Sequence, residues 1–190
     1  MKRSVAVIMA GGKSSRMQED KALLPFGGFN SLCEFQYRKL ERLFSKVYVS
    51  SKSDKFDFKV EIIEDIEEES SPLVALVSIF ETLAIEECFV LSVDAPFVDE
   101  KIIDELYRNL QGEVVTVATS SRGIEPLCAI YKRGFLKEAK CALSEGEHRL
   151  QTLFERLEVN QVWFKDEGAF ENLNYSEEYL KAVALQQKSF

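Results

Sequence analysis

The chain has 190 residues, 46% of them hydrophobic, and a formal net charge of -8. This length and composition indicate one domain with a buried core and exclude disorder as a property of the whole chain. The negative charge argues against a general binder of DNA or RNA, which needs a basic face, but a small anionic ligand needs only a local group of cations and N–H groups.

The N-terminal half alternates apolar runs with amphipathic segments. A continuous apolar run at residues 5–9 predicts a strand buried on both faces of a parallel sheet. Asn30 or Ser31 is the predicted N-cap of a helix. Its apolar residues at helical spacing are Leu32, Phe35, Leu40, Leu43 and Phe44. The next predicted elements are strands at 47–49 and 60–63, a helix from Pro72 and a strand at 88–93.

The C-terminal half continues the alternation. Pro96 cannot extend a central strand, so the chain should leave the sheet after Asp94. Asp99 is a predicted cap for a helix over 100–110. The other predicted elements are strands at 114–118, 127–131 and 159–164, and helices at 133–143, 149–157 and from Ser176. The pattern predicts a single α/β domain over 1–190, three-layer α/β/α, with a mostly parallel, doubly wound, Rossmann-like sheet.

A polar loop with two glycines directly follows the first predicted strand, where such sheets bind ligands. Gly11 and Gly12 allow close approach of the backbone to a ligand, and Arg16 and Lys21 add the charge that a triphosphate needs. The loop matches neither a Walker A motif nor a dinucleotide fingerprint. A tight turn with solvated charges explains these residues about equally well.

Asp94 is the second candidate, at the end of predicted strand 88–93. Its carboxylate suits Mg²⁺, which takes one or two carboxylates plus phosphate oxygens and water. A turn cap before Pro96 is an equally open interpretation of the residue alone.

The cysteines and the single histidine form no motif for a structural zinc site. None of the four cysteines lies in a C-x-x-C pair: Cys33, Cys88, Cys128 and Cys141. We expect buried, reduced thiols in a cytoplasmic protein, because the N-terminal apolar run is too short for a signal peptide. No stretch approaches about 18 apolar residues, so no membrane span is expected. Trp163 is expected to be a packing residue, with a place in the wall of a ligand pocket as the alternative.

The segment VIMAGGKSSRMQEDKALLPFGG resembles the N-terminal signature of the MobA family of molybdenum cofactor guanylyltransferases. Further segments match the family in the same order: IIED, SPLVAL, SVDAPFV, EPLCAIY, HRLQTLFERL and FENLNYSEEYLKA. Together they extend from Val7 to Ala182, nearly the whole chain. The chain departs from the family pattern at several positions. Gln18, Ser71 and Ala75 stand where the family has Gly, and Ser50 stands where it has Asn. Val74 replaces an Ala, and Tyr175-Ser176 replaces Thr-Pro.

The resemblance implies transfer of GMP from GTP to molybdenum-bound molybdopterin, with Mg²⁺, or Mn²⁺ in its place. The N-terminal half would bind GTP and the C-terminal half the pterin. It implies catalytic roles for Arg16, Lys21 and Asp94, with Asp94 as metal ligand, and it makes Asn172 and Asn174 candidate pterin contacts. The implied nucleotide-binding residues are Met9, Ala10, Gly11, Gly12, Lys21, Ser50, Asp65 and Asp94.

The resemblance also implies a monomer or weak oligomer, in transient contact with proteins that deliver the pterin and mature molybdoenzymes. Two alternatives stay open. One is a cytidylyltransferase that uses CTP with the same pterin; the other is a non-catalytic nucleotide-binding module.

Overall fold

The computed structural model of the protein describes residues 2–11, 20–66, 71–173 and 175–187. Its strands form one sheet in the order β3-β2-β1-β4-β6-β5-β7. The strands are β1 (Arg3–Met9), β2 (Phe44–Ser50), β3 (Glu61–Ile63), β4 (Glu87–Ser92), β5 (Val115–Ser120), β6 (Gly123–Lys132) and β7 (Val159–Trp163). Only β6 runs antiparallel to its neighbours among the described strands. The predicted mostly parallel α/β sheet is confirmed.

Helices cover both faces of this sheet. They are α1 (Leu32–Leu40), α2 (Pro72–Thr82), α3 (Glu100–Arg108), α4 (Leu136–Ser144), α5 (Leu150–Phe154) and α6 (Ser176–Gln187). Because successive side chains of a strand point to opposite faces, β1 contributes Ala6 and Ile8 to one core and Val5 and Val7 to the other. The first core includes side chains of α1 and α3, and the second those of α2 and α4. The three-layer arrangement follows from these two cores.

Side-chain caps begin three of the helices. Ser31 Oγ accepts the Glu34 N–H at 3.1 Å and Asp99 Oδ1 accepts the Ile102 N–H at 3.0 Å. Ser71 caps α2 in the same way, just before Pro72. Ser31, rather than Asn30, is therefore the cap of α1, and the predicted cap at Asp99 is confirmed.

Several details of the sequence prediction are wrong, and tertiary packing explains them. The first helix ends at Leu40, and Phe44 begins β2, where its ring stacks on Phe89 of β4 at 5.6 Å. Trp163 is 62% exposed on the edge strand β7 rather than packed, and Cys141 is exposed on α4. The other three cysteines are buried and free. No helix of the described residues is long and apolar enough to cross a membrane.

Candidate active site

The carboxyl ends of four parallel strands meet at one edge of the sheet. Met9 at the end of β1 aligns with Ser50 of β2 and with Ser92 of β4. Two backbone hydrogen bonds extend this alignment beyond the strand ends. The Ala10 N–H donates to Ser50 O at 2.8 Å, and the Val93 N–H donates to Met9 O at 3.1 Å. The segments that carry Gly11, Asp65 and Asp94 therefore leave the sheet at this shared edge.

Lys21 and Asp94 are in direct contact there, although 73 residues separate them. Lys21 Nζ lies 3.1 Å from Asp94 Oδ2, and the two side chains are only 16% and 18% exposed. The Ser92 hydroxyl donates to the other carboxylate oxygen of Asp94 at 2.6 Å. Contacts at both oxygens hold the carboxylate in one orientation, beside a cation, at the ligand-binding edge.

The backbone around Asp94 is held from two sides. The Leu173 N–H donates to Asp94 O at 2.9 Å, which joins the segment before α6 to this turn. On the other side, Gln36 Nε2 of α1 donates to Ala95 O at 2.9 Å. Lys39 Nζ, also of α1, donates to Pro96 O at 3.0 Å and to Val98 O at 2.8 Å. The turn that presents Asp94 is thus tied to α1.

The loop from residue 10 to residue 21 begins with open space. A side chain built at Gly11 would meet no atom of the described residues within 4 Å, so its backbone is open to close approach by a ligand from that side. Where the loop ends, Asp20 accepts the Ala22 N–H at 3.1 Å and begins the 3₁₀ turn that carries Lys21. The predicted residues Gly12 and Arg16 lie outside the described residues.

Lys55 adds a second cation that the sequence interpretation missed. Its Nζ donates to Ala10 O at 3.2 Å and pairs with the Asp20 carboxylate. Lys55 lies in the loop after β2, so the rule that ligands bind beyond parallel strands was the signal that could have identified it.

The other predicted nucleotide contacts lie at the same edge but differ in exposure. Met9 ends β1 and Ala10 follows it, and both are buried; Ser50 is 2% exposed at the end of β2. Asp65 is half-buried in the loop after β3. Contacts from the first three would therefore come from the backbone.

A cavity of about 220 Å³ lies next to Asp94, between the end of β4 and β6. We call it the β4–β6 cavity; Glu125, Phe170 and Asn172 are among its walls. The sequence interpretation missed Glu125. Burial raises the pKa of its carboxyl and the charge of Asp94 adds to the rise, while Arg122 acts in the opposite direction. Asn174, the other predicted pterin contact, lies outside the described residues.

The described side chains fit a metal only as one part of a larger coordination shell. They form no group of three or more His, Cys, Asp or Glu residues that could hold a metal ion. Asp94 supplies one fixed carboxylate at the sheet edge where β1 and β4 both end. A single carboxylate suits Mg²⁺ where phosphate oxygens and water complete the shell.

Comparisons with known proteins agree on one family and fold. Residues 6–162 match the family model described as the MobA-like NTP transferase domain. A molybdenum cofactor guanylyltransferase of Campylobacter jejuni subsp. jejuni serotype O:6 is 39% identical over 92% of this chain and 93% of that protein. One from Helicobacter pylori strain G27 is 31% identical over 94% and 91%.

Solved structures show the same fold. The molybdopterin-guanine dinucleotide biosynthesis protein A of Archaeoglobus fulgidus superposes with a TM-score of 0.84 at 20% identity, covering 97% of this chain and 99% of that one. A 2-C-methyl-D-erythritol 4-phosphate cytidylyltransferase of Thermus thermophilus reaches 0.74 at 17% identity, covering 98% and 100%.

Proposed function

Because the chain belongs to the MobA-like NTP transferase family, we propose that it transfers GMP from GTP to molybdenum-bound molybdopterin. The products are the molybdopterin guanine dinucleotide cofactor and pyrophosphate. The names of the relatives from Campylobacter and Helicobacter support this choice of substrates. The observation that carries the proposal is the Lys21–Asp94 contact, which puts a cation and a fixed carboxylate at the same sheet edge.

The reaction requires two anions to be brought together. A phosphate oxygen of the pterin forms a bond to the α-phosphorus of GTP, and the bond from that phosphorus to its bridging oxygen breaks. Pyrophosphate leaves with the electron pair. The attacking phosphate is already an anion near neutral pH, so charge stabilisation and positioning supply the catalysis rather than a strong base.

Some of the site residues bind the phosphates of GTP, and Asp94 binds the metal. Lys21 donates to a phosphate of GTP, and the space at Gly11 admits the triphosphate against the backbone N–H groups. Arg16 adds a further cation. Asp94 would hold Mg²⁺, which would supply positive charge to the triphosphate and the leaving group. Ser92 and Lys21 keep the Asp94 carboxylate in position.

The two substrates approach Asp94 from opposite sides. GTP lies over the ends of β1, β2 and β3, with Asp65 near its base or ribose and backbone atoms of residues 9–11 beside it. The pterin enters the β4–β6 cavity, where Asn172 is a contact. The single domain thus has a nucleotide half and a pterin half. We further propose that the enzyme works in the cytoplasm.

Thermal unfolding with GTP, CTP and ATP, each with and without Mg²⁺, tests the proposal. A nucleotide at about 100 times its Kd stabilises the folded state by about 2.7 kcal/mol. We expect the largest shift in melting temperature from GTP with Mg²⁺, and a smaller one from CTP. An equal or reversed ranking would contradict the guanylyl assignment and favour the cytidylyl alternative.

A further inference from the structure

Glu125 faces Asp94 across the β4–β6 cavity, and the transfer reaction described above leaves it without a role. The two strands pair antiparallel from Glu87 with Lys132 to Leu91 with Cys128. Continuing this register past the last pair sets Asp94 opposite Glu125. The strands separate at this point because Pro126 has no N–H to donate, and the cavity opens between them.

An irregularity in β6 sets the position of Glu125. Along β5, Val117 pairs with Ala129 but the next residue, Ala118, pairs with Glu125. The residues between, from Pro126 to Cys128, have no partner in that ladder and form a bulge. The Tyr131 hydroxyl donates to Pro126 O at 2.8 Å and holds the bulge closed. Bulges of this kind commonly turn a side chain toward a functional site.

The carboxylate oxygens of Glu125 can accept hydrogen bonds from a ligand. It is half-buried, and no hydrogen bond or ion pair joins it to another described residue. The raised pKa of its carboxyl reflects the same partial burial and the charge of Asp94. An ionised carboxylate only accepts hydrogen bonds, so a ligand that pairs with it must present N–H or O–H donors.

We propose that Glu125 recognises the ring of the pterin substrate, an assignment that rests on the proposed function. The 2-amino-4-oxo ring presents the ring N3–H and the 2-amino N–H side by side, and a carboxylate can accept both in a paired arrangement. Phe170 and Leu127 offer apolar contact to the ring, and Asn172 adds an amide donor and acceptor at the cavity wall.

Guanine carries a similar edge, but the sheet order assigns Glu125 to the pterin. Asp65 follows β3, whereas Glu125 lies on β6, four strands away and thus about 19 Å along the sheet edge. The Lys21–Asp94 contact lies between them. The two carboxylates therefore lie on opposite sides of the Lys21–Asp94 contact. Asp65 lies on the side assigned to the nucleotide, and Glu125 lies on the side assigned to the pterin.

A fluorescence titration with pterin and lumazine tests the assignment without turnover. Lumazine has a carbonyl oxygen in place of the 2-amino group, so it lacks one donor and sets an acceptor against the carboxylate. A hydrogen bond to a charged group contributes about 1.5–3 kcal/mol, so we expect wild type to prefer pterin by about tenfold or more. Glu125→Gln, of the same shape, should lose most of this preference. The matched control is Glu171→Gln, at an exposed residue outside the β4–β6 cavity, which should keep it.

The same samples, melted with GTP and Mg²⁺, separate the two proposals. An unchanged GTP shift in Glu125→Gln shows that the variant is folded and the nucleotide side intact. A pterin preference that survives in Glu125→Gln, or one that wild type lacks, would overturn the inference. Loss of the Mg²⁺-dependent GTP shift with the pterin preference retained would also overturn it and make Glu125 a second metal carboxylate. A wild type that fails to prefer GTP refutes the proposed function instead, whatever the pterin titration shows.

Discussion

At the scale of single residues, the candidate site depends on the fixed orientation of one carboxylate. Asp94 has Lys21 at one oxygen, the Ser92 hydroxyl at the other and the Leu173 N–H on its backbone carbonyl. None of these contacts requires a ligand to be bound. A preorganised group of this kind stabilises developing charge without reorganising during the reaction.

Asp94→Asn removes the charge of this side chain and keeps its shape. Because the amide is a much weaker ligand for Mg²⁺, we expect transfer from GTP to fall by about 100-fold or more, with little change in melting temperature. Single-turnover rates over a range of Mg²⁺ concentrations measure the effect. Asp57→Asn, at an exposed residue in the loop after β2, is the control. Wild-type rates in Asp94→Asn at ordinary Mg²⁺ would refute the assigned role.

At the scale of elements, α1 supports the turn that presents Asp94. Gln36 is fully buried, and its amide group donates to backbone carbonyls of the turn, with the shortest bond to Ala95 O. Lys39, one helical turn further along α1, donates to the next carbonyls. A helix that packs in the core thereby positions a loop at the ligand-binding edge.

Gln36→Leu tests this support. It fills the same space but leaves buried carbonyls without their donor, so we expect the free energy of unfolding to fall by about 1–3 kcal/mol. The loss is partly offset because Gln36 Oε1 is itself buried without a partner. Urea unfolding measures the change, and Gln161→Leu at an exposed position of β7 is the comparison. Equal midpoints for the two variants would show that α1 holds the turn by apolar packing alone.

At the scale of the whole molecule, the buried ammonium of Lys39 links stability to pH. Burial lowers its pKa to about 7 in the folded protein, opposed by Cys128 and Asp99, from an ordinary value of 10.5. Between these two values the unfolded chain binds one more proton than the folded one. The contribution of Lys39 to stability therefore rises as pH increases from about 7 toward 10.5, and is lowest below pH 7.

Lys39→Met should flatten that part of the stability profile. We expect the free energy of unfolding of wild type, relative to Lys39→Met, to rise with pH by at most about 1.4 kcal/mol per unit above pH 7. Denaturant unfolding at a series of pH values measures this difference. The free energy of unfolding of the control variant Lys59→Met, at an exposed residue, should change with pH in parallel with that of wild type. Parallel profiles for Lys39→Met as well would contradict the lowered pKa of Lys39.

Local patterns were enough to predict the elements and the fold class. Continuous apolar runs indicated β1 and β4, helical spacing and a capping residue indicated α1, a capping residue indicated α3, and the alternation of strands and helices indicated a parallel sheet. These signals depend on interactions between residues close in the chain and on burial, so they can be recognised without knowing the partners. The family resemblance then named Lys21 and Asp94, and their contact agrees with a shared site.

The arrangement across the sheet was decided by tertiary structure alone. The antiparallel direction of β6, its bulge, and the placement of Glu125 opposite Asp94 depend on pairing between strands far apart in the sequence. Three further side chains act through contacts with backbone that is distant in the sequence. Lys55 donates to Ala10 O, and Gln36 and Lys39 donate to carbonyls of the turn that follows Asp94. The sequence determines which side chains are present, but strand register determines which of them come into contact. The physical reason is that strand pairing brings together residues that are far apart in the sequence, so no local spacing can predict the contact.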